Sequence, residues 1–255
     1  MTWAHLIKPQ VWAGGVSIVA AVLTVVAIAT ARPMSAAVWV IVAVSLWMIS
    51  GVLNRRDPIP MPYYMRWLMF LPRGPHSPAH LASMLAPKPG ERFLELGPGP
   101  GVHALPIARA LLPGGALDVL DMQPQMLQHL VRRCLRAGIT NVTASLGNAQ
   151  ALPYADDVFD GAYMIAVLGE IPNQEVALCE LRRVLKPDGR LVVGEVIVDP
   201  DYVSLQALVD LAKTTGFDFQ EMRGPRLSYF VLFRPAADLA QAQVPDPIRR
   251  AGAPF

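Results

Sequence analysis

The sequence predicts an α/β fold: a doubly wound sheet of seven strands, the last pair antiparallel, preceded by two transmembrane helices. Three observations carry this. Beyond about residue 90, apolar runs of strand length alternate with helical stretches, the pattern of a parallel sheet with crossover helices. The last two strands are joined only by Gly224-Pro225-Arg226-Leu227, too short for a parallel crossover, so they pair antiparallel. Finally, Val11 to Ala31 and Ala36 to Leu53 are apolar runs without a charged residue.

Each run approaches the roughly 20 residues needed to cross a ~30 Å hydrocarbon core. With Arg32-Pro33-Met34-Ser35 as the turn, residues 1–56 are expected to form a membrane hairpin with spans at about 11–31 and 36–53. Lys8 before the first span and Arg55-Arg56 after the second, against Arg32 alone in the turn, put both ends and the following domain on the cytoplasmic side. Ala13, Ser17 and Ala21 recur at four-residue spacing and let two helices approach closely, while Trp12 and Trp39 stand near span ends as anchors. A secretory signal ending at Ala29-Thr30-Ala31 is the competing reading, but the run exceeds the usual ~7–15-residue apolar region and a second run follows at once. The net charge of +2 over 255 residues gives no sign of nucleic-acid binding. Cys134 and Cys179 are isolated and read as helix core thiols, and no metal site is legible.

Residues 57–90 form a juxtamembrane connector rich in Pro and aromatics, with Pro58-Ile59-Pro60-Met61-Pro62-Tyr63-Tyr64 followed by Trp67-Leu68-Met69-Phe70-Leu71-Pro72. It either covers the active site or merely packs as a linker. Residues 91–235 form the main domain, with strands at Arg92 to Leu96, Ala116 to Asp121, Val142 to Leu146, Phe159 to Ala166, Arg190 to Val198, Phe217 to Arg223 and Ser228 to Phe233. Gly114-Gly115 and Gly138 close helices, and Lys186-Pro187-Asp188-Gly189 is a tight turn before the fifth strand. The tail, 236–255, is expected to be disordered.

The run Phe93-Leu94-Glu95-Leu96-Gly97-Pro98-Gly99-Pro100-Gly101 carries the most chemistry. Glycines permit positive φ and a ligand lying close to the backbone. A carboxylate ending the strand repels phosphates but accepts hydrogen bonds from a cationic amine, so a nucleoside bearing an amine fits better than a dinucleotide. The rival is hydride transfer, because Gly99-Pro100-Gly101-Val102-His103-Ala104 also satisfies Gly-x-Gly-x-x-Gly/Ala; that motif needs room for a pyrophosphate, which Glu95 would repel. Asp121 ends the second strand where an acid can accept both ribose hydroxyls. Its alternative is a helix N-cap ahead of Gln123-Pro124.

With these pieces in order, Pro87 to Pro235 resembles the class I S-adenosylmethionine-dependent methyltransferases, which have a Rossmann-like fold. Glu95-Leu96-Gly97-Pro98-Gly99-Pro100-Gly101 is similar to that superfamily's first motif. Gly147-Asn148-Ala149-Gln150-Ala151-Leu152-Pro153-Tyr154 is similar to its Gly-Asp-Ala-x-x-Leu-Pro-Phe signature, departing at Asn148, which keeps a carbonyl acceptor but loses the charge. Leu181 to Leu191 resembles the turn before strand five, with Arg182 and Arg183 read as solvated charges. The resemblance implies S-adenosyl-L-methionine as cofactor, held by Glu95, Gly97, Gly99, Gly101, Asp121, Met122, Asn148, Ala149 and Ala166.

Methyl transfer from a sulfonium is an in-line displacement, so the protein mainly aligns the reactants and excludes water. Glu170, in the stretch Ala166 to Asn173 at the carboxyl edge of the sheet, is the candidate catalytic residue, as base or as partner of a cationic acceptor. Its alternative role is to favour the dipole of the following helix. His103 can face the pocket but is expected to be packed or exposed, and Tyr163 belongs to the core. The signatures look most like the branch that includes the ubiquinone and menaquinone biosynthesis methyltransferases. A membrane hairpin beside such a domain points to the lipid bilayer as partner and to a lipophilic acceptor, a quinone ring or a phospholipid amine, because tethering concentrates enzyme and acceptor together. A non-catalytic membrane-bound S-adenosylmethionine-binding module, supported by Asn148, and an NAD-dependent oxidoreductase are the alternatives.

Overall fold

The computed structural model describes residues 33–56, 60–71 and 76–237, with positions 20, 23, 24 and 28 described singly. The first expected span, the alternative cleavage site and the tail beyond residue 237 lie outside the described residues, apart from those four positions.

Seven strands form one sheet in the order β3-β2-β1-β4-β5-β7-β6. They are β1 (Arg92–Leu96), β2 (Ala116–Asp121), β3 (Val142–Leu146), β4 (Phe159–Ile165), β5 (Leu185–Val196), β6 (Phe217–Arg223) and β7 (Ser228–Pro235). The first five are parallel, and β7 runs antiparallel to both β5 and β6. Strand side chains alternate between faces, so two cores form. On one face Phe93, Val119, Tyr163 and Val192 pack with helices α2 (Pro78–Leu85), α3 (Ala104–Ala110) and α4 (Pro124–Arg136). On the other, Leu94, Leu120, Met164 and Val193 pack with α5 (Gln174–Val184) and α6 (Leu205–Thr214). The strand order reverses direction between β1 and β4, the point at which open sheets of this kind leave a crevice at their carboxyl edge.

Four strand boundaries differ from expectation: β5 ends at Val196 rather than Val198, β7 ends at Pro235 rather than Phe233, and the other two have a local cause. Strand β4 stops at Ile165, because Ala166 turns the chain at φ 54. Strand β5 begins at Leu185: Lys186 to Gly189 bulges out between the pairings Phe159↔Leu185 and Gly161↔Arg190, so the expected turn lies within the strand. Lys186 Nζ holds the bulge to Asp160 at 2.5 Å.

Arg183 also departs from its expected role. Its guanidinium donates to Glu180 and Asp156 at 2.8 Å and to the carbonyls of Tyr154 at 2.7 Å and Leu152 at 3.1 Å. It clamps the loop before β4 onto α5. Arg182 donates to the Ala236 carbonyl at 3.4 Å. Cys134 is buried and Cys179 half-buried, both as thiols.

Helix α1 (Pro33–Arg56) covers the second expected span, but the side chains at 33–36, 50, 51 and 54–56 fall outside the described set. Among the described residues no helix is long and apolar enough to cross a membrane, so the expected pair of spans is not supported by them. Val38, Ile41, Val44, Met48 and Val52 of α1 are exposed, and Trp47 Nε1 donates to the Val198 carbonyl at 3.1 Å, which ties α1 to the end of β5.

The connector contains a 3₁₀ helix, Tyr63–Phe70. Three residues per turn stack its side chains in rows. Met65 and Leu68, with Leu71 just beyond, line the crevice; Tyr63, Arg66 and Met69 form the row nearest α4 and the glycine loop; Tyr64, Trp67 and Phe70 are exposed. The connector therefore covers the crevice.

Candidate active site

At the carboxyl edge of the sheet lies a cavity of about 700 Å³, a size typical of small-molecule sites. Its floor is built from the ends of β1, β2 and β4, and its roof from the connector, with Met61, Met65, Leu68 and Met69. Of the residues expected to form the site, Gly97, Gly99, Asp121, Met122, Asn148, Ala149, Ala166 and Glu170 line this one cavity. Glu95 and Gly101 sit behind its wall.

The glycine loop follows β1 with φ of 61° at Gly97, 52° at Gly99 and 80° at Gly101, values that favour glycine. The Gly101 N–H donates to the Pro98 carbonyl at 2.9 Å, closing the turn. A Cβ at Gly97 would stand 2.5 Å from Val167 Cγ2, and one at Gly99 would stand 2.8 Å from the Met69 sulfur. The Pro100 carbonyl accepts from Arg133 Nη1 at 2.5 Å, which fixes the loop to α4.

Glu95 is buried behind this loop, where the Tyr163 hydroxyl donates to its Oε2 at 2.9 Å. Burial pushes its carboxyl up to about 8; the Tyr163 bond opposes the shift and the Asp121 charge adds to it. Asp121 is buried too, and burial raises it to about 6 against backbone N–H groups of Gln123, Gly99 and Met122 that favour its charge. Its Oδ1 accepts from the Gln123 N–H at 2.8 Å. The N-cap position of α4 is Gln123 itself, so Asp121 is not the cap.

Asn148 lines the cavity, but its Oδ1 accepts from the Gln150 backbone N–H at 2.9 Å and side chain at 3.2 Å, an acceptor role that a carboxylate would fill equally. Ala166 holds its positive φ with its N–H donated to the Gly194 carbonyl at 2.8 Å.

Glu170 lies in the short 3₁₀ turn Leu168–Glu170. It does not serve α5, whose N-cap is Asn173 and whose first-turn acid is Glu175. Instead its Oε1 accepts from the Met61 N–H of the connector at 3.0 Å. Burial, with Asp199, Asp201 and Asp121 nearby, raises its carboxyl well above the usual range. On the other side of the same residue, Gln123 Nε2 donates to the Met61 carbonyl at 2.8 Å. Both backbone groups of Met61 are thus held by side chains of the cavity wall.

His103 is buried, its Nε2 3.0 Å from the His76 carbonyl, and does not line the cavity. Sequence reasoning passed over five contributors: Tyr163 as partner of Glu95, Gln123 and Met61 as the tie between connector and cavity wall, and the acids Asp199 and Asp201 after β5. No local signal marks them: Tyr163 meets Glu95 only through strand register, and the others depend on tertiary approach.

Residues 93–189 match the family described as Methyltransferase domain. The chain carries a class I S-adenosylmethionine-dependent methyltransferase domain. A demethylmenaquinone methyltransferase of Tropheryma whipplei (strain Twist) is 40% identical over 112 residues, 44% of this chain and 44% of that protein. A ubiquinone/menaquinone biosynthesis C-methyltransferase of Pasteurella multocida (strain Pm70) is 28% identical over 166 residues, 62% and 61% of the two chains. A SAM-dependent methyltransferase from Aquifex aeolicus superposes with a TM-score of 0.63 at 17% identity, over 69% of this chain and 98% of that one, a likeness of fold alone. The chain spans less than two thirds of the length of these two curated relatives, so the match speaks for the methyltransferase domain and not for the acceptor.

The cavity suits the methyltransferase cofactor. It offers a glycine turn at positive φ whose Gly97 and Gly99 line the cavity, a buried acid behind that turn and a second acid at the end of the neighbouring strand. When bound, S-adenosylmethionine supplies a methyl group made electrophilic by its sulfonium.

Proposed function

We propose that this protein methylates a small lipophilic acceptor at a membrane surface, with S-adenosylmethionine as donor. In this reading Gly97, Gly99 and Gly101 with Glu95 hold the methionine part, Asp121 the ribose, and Met122, Asn148 and Ala149 the adenine, with Ala166 beside them. Glu170 faces the acceptor. The observation that carries the reading is that one cavity joins the glycine cradle and Asp121 to an apolar roof of Met61, Met65, Leu68 and Met69. Unbranched, polarisable methionine side chains adapt to flat or chain-like apolar ligands.

A quinone ring is the favoured acceptor, supported by what the two curated relatives are named for. Glu170 with its raised proton affinity then takes the proton that a phenol or carbon acid must lose. A lipid amine is the second reading, favoured by Asp199 and Asp201 on the same wall. Membrane association is supported by the two uncharged runs and by the exposed apolar side chains of α1. The balance of Lys8, Arg55 and Arg56 against Arg32 favours a cytoplasmic domain.

Calorimetry with S-adenosylmethionine on the detergent-solubilised full chain tests the cofactor; absence of binding overturns the reading. Incubation with labelled cofactor and total membrane lipid, followed by mass spectrometry, identifies the acceptor. Label found only in aqueous products would refute the lipophilic acceptor.

A further inference from the structure

The inner rows of the 3₁₀ helix serve the cavity; the outer row does not. Tyr64, Trp67 and Phe70 follow one another at three-residue spacing, eclipsed along one face. They are 48%, 54% and 49% exposed, and Leu71, which also lines the crevice, is 53% exposed. Aromatic side chains of this size dominate buried cores and interfaces, and a row of three beside an exposed leucine is an apolar strip with a partner to find.

The charge around the strip says which partner. The 3₁₀ helix packs on α4: the Tyr63 ring meets His129 at 6.4 Å, and the Arg133 guanidinium lies 4.8 Å from the Phe70 ring. One turn along α4 from these contacts stand Arg132 and Arg136, both exposed, with exposed Val131 and Leu135 next to them on the side away from the 3₁₀ helix. Arg66, Arg133, Arg132 and Arg136 together act on His129, whose imidazole burial and these cations push below its ordinary range. The two segments that carry them, residues 58–90 and 122–155, contain neither Asp nor Glu. Exposed aromatics and leucines beside arginines on acid-free segments are what an anionic bilayer interface selects, with rings at headgroup level and cations on lipid phosphates.

We propose that the face made by Tyr63–Phe70 and α4 docks the methyltransferase domain onto an anionic membrane surface. The proposal rests on the reading that the protein works at a membrane, but it concerns the domain's own face and not residues 11–53. One eight-residue element then has the bilayer on its outer row and the acceptor cavity on an inner one. A lipophilic acceptor passes from lipid to cavity around a single turn of chain.

The test uses the full chain in vesicles containing brominated phospholipid, which quenches tryptophan fluorescence at the depth of the bromine. Trp67 is one of five tryptophans, so its share is the quenching lost in Trp67→Phe. In phosphatidylcholine vesicles containing phosphatidylglycerol, wild type should show a Trp67 share that Trp67→Phe loses. Arg132→Glu/Arg136→Glu should lose it as well, and wild type in pure phosphatidylcholine should lack it. Equal quenching of wild type and Trp67→Phe, or a Trp67 share indifferent to lipid charge or to the arginine reversals, overturns the proposal. Binding of S-adenosylhomocysteine to the same vesicles, measured by calorimetry, should be unchanged in every variant; its failure in wild type would count against the cofactor reading and leave the quenching result to stand by itself.

Discussion

Tyr163 and Glu95 are register partners on adjacent parallel strands, and the phenol donates to the buried carboxylate at 2.9 Å. The bond favours the charged form of an acid that burial pushes up to about 8. Cofactor affinity should therefore rise with pH through about 8, as Glu95 ionises to meet a cationic amine. Tyr163→Phe should move that midpoint to higher pH and, below it, weaken binding by about tenfold for each pH unit the midpoint moves. Calorimetric titrations with S-adenosylhomocysteine across this range check it. A uniform loss at every pH would reduce Tyr163 to a packing residue.

The same burial costs stability. Glu95 has a folded-state value above its unfolded value, so its contribution is present below about 4.5 and is lost as pH rises through about 8. Glu95→Gln removes a charge that the fold pays to hold. Without ligand it should be more stable than wild type above pH 8, by on the order of 5 kcal/mol at most, while losing cofactor binding. Denaturant melts at acid and alkaline pH would show the two curves converging in acid.

Gly97 and Gly99 should differ when replaced by alanine. Both need positive φ, costing about 1–2 kcal/mol in alanine. At Gly97 the new methyl also meets the branched Val167 at 2.5 Å, whereas at Gly99 it meets the tip of the unbranched Met69 side chain. Gly97→Ala should lower the melting temperature more. Gly99→Ala should mainly weaken cofactor binding, and a bulkier residue there should abolish it.

Glu170→Gln keeps an oxygen to accept from the Met61 N–H, so the connector should stay in place and cofactor affinity should hold. With an acceptor that must lose a proton, turnover should fall about a hundredfold or more. In wild type that turnover should rise with pH, because the raised carboxyl must ionise before it can act as base. Turnover equal to wild type would remove Glu170 from the chemistry.

Arg183→Ala should destabilise the domain by about 2 kcal/mol, because it frees Glu180 and two loop carbonyls at once. Proteolysis at residues 152–156 should accelerate in the variant.

The strands on either side of the glycine loop were legible because a buried parallel strand is a short continuous apolar run bounded by turn residues. Strand β5 was misjudged at its start because a bulge of four turn-forming residues looks, in sequence, like the end of the preceding loop. Glu95, Gly97 and Asp121 were legible because their spacing is local. Tyr163 looked like core because its partner lies 68 residues away, and Arg183 looked solvated because its loop carbonyls reach α5 only after β4 is in place. Met61 offers nothing to a sequence reader at all: its backbone, not its side chain, joins Glu170 to Gln123.

The 3₁₀ helix Tyr63–Phe70 sets its three rows against three different surroundings. Its roles are therefore genetically separable. A codon change at Met69 bears on the glycine loop, one at Met65 or Leu68 on the shape of the acceptor chamber, and one at Tyr64 or Trp67 on the outside world. Selection can retune any of these by single steps while the sheet that carries the chemistry is left untouched.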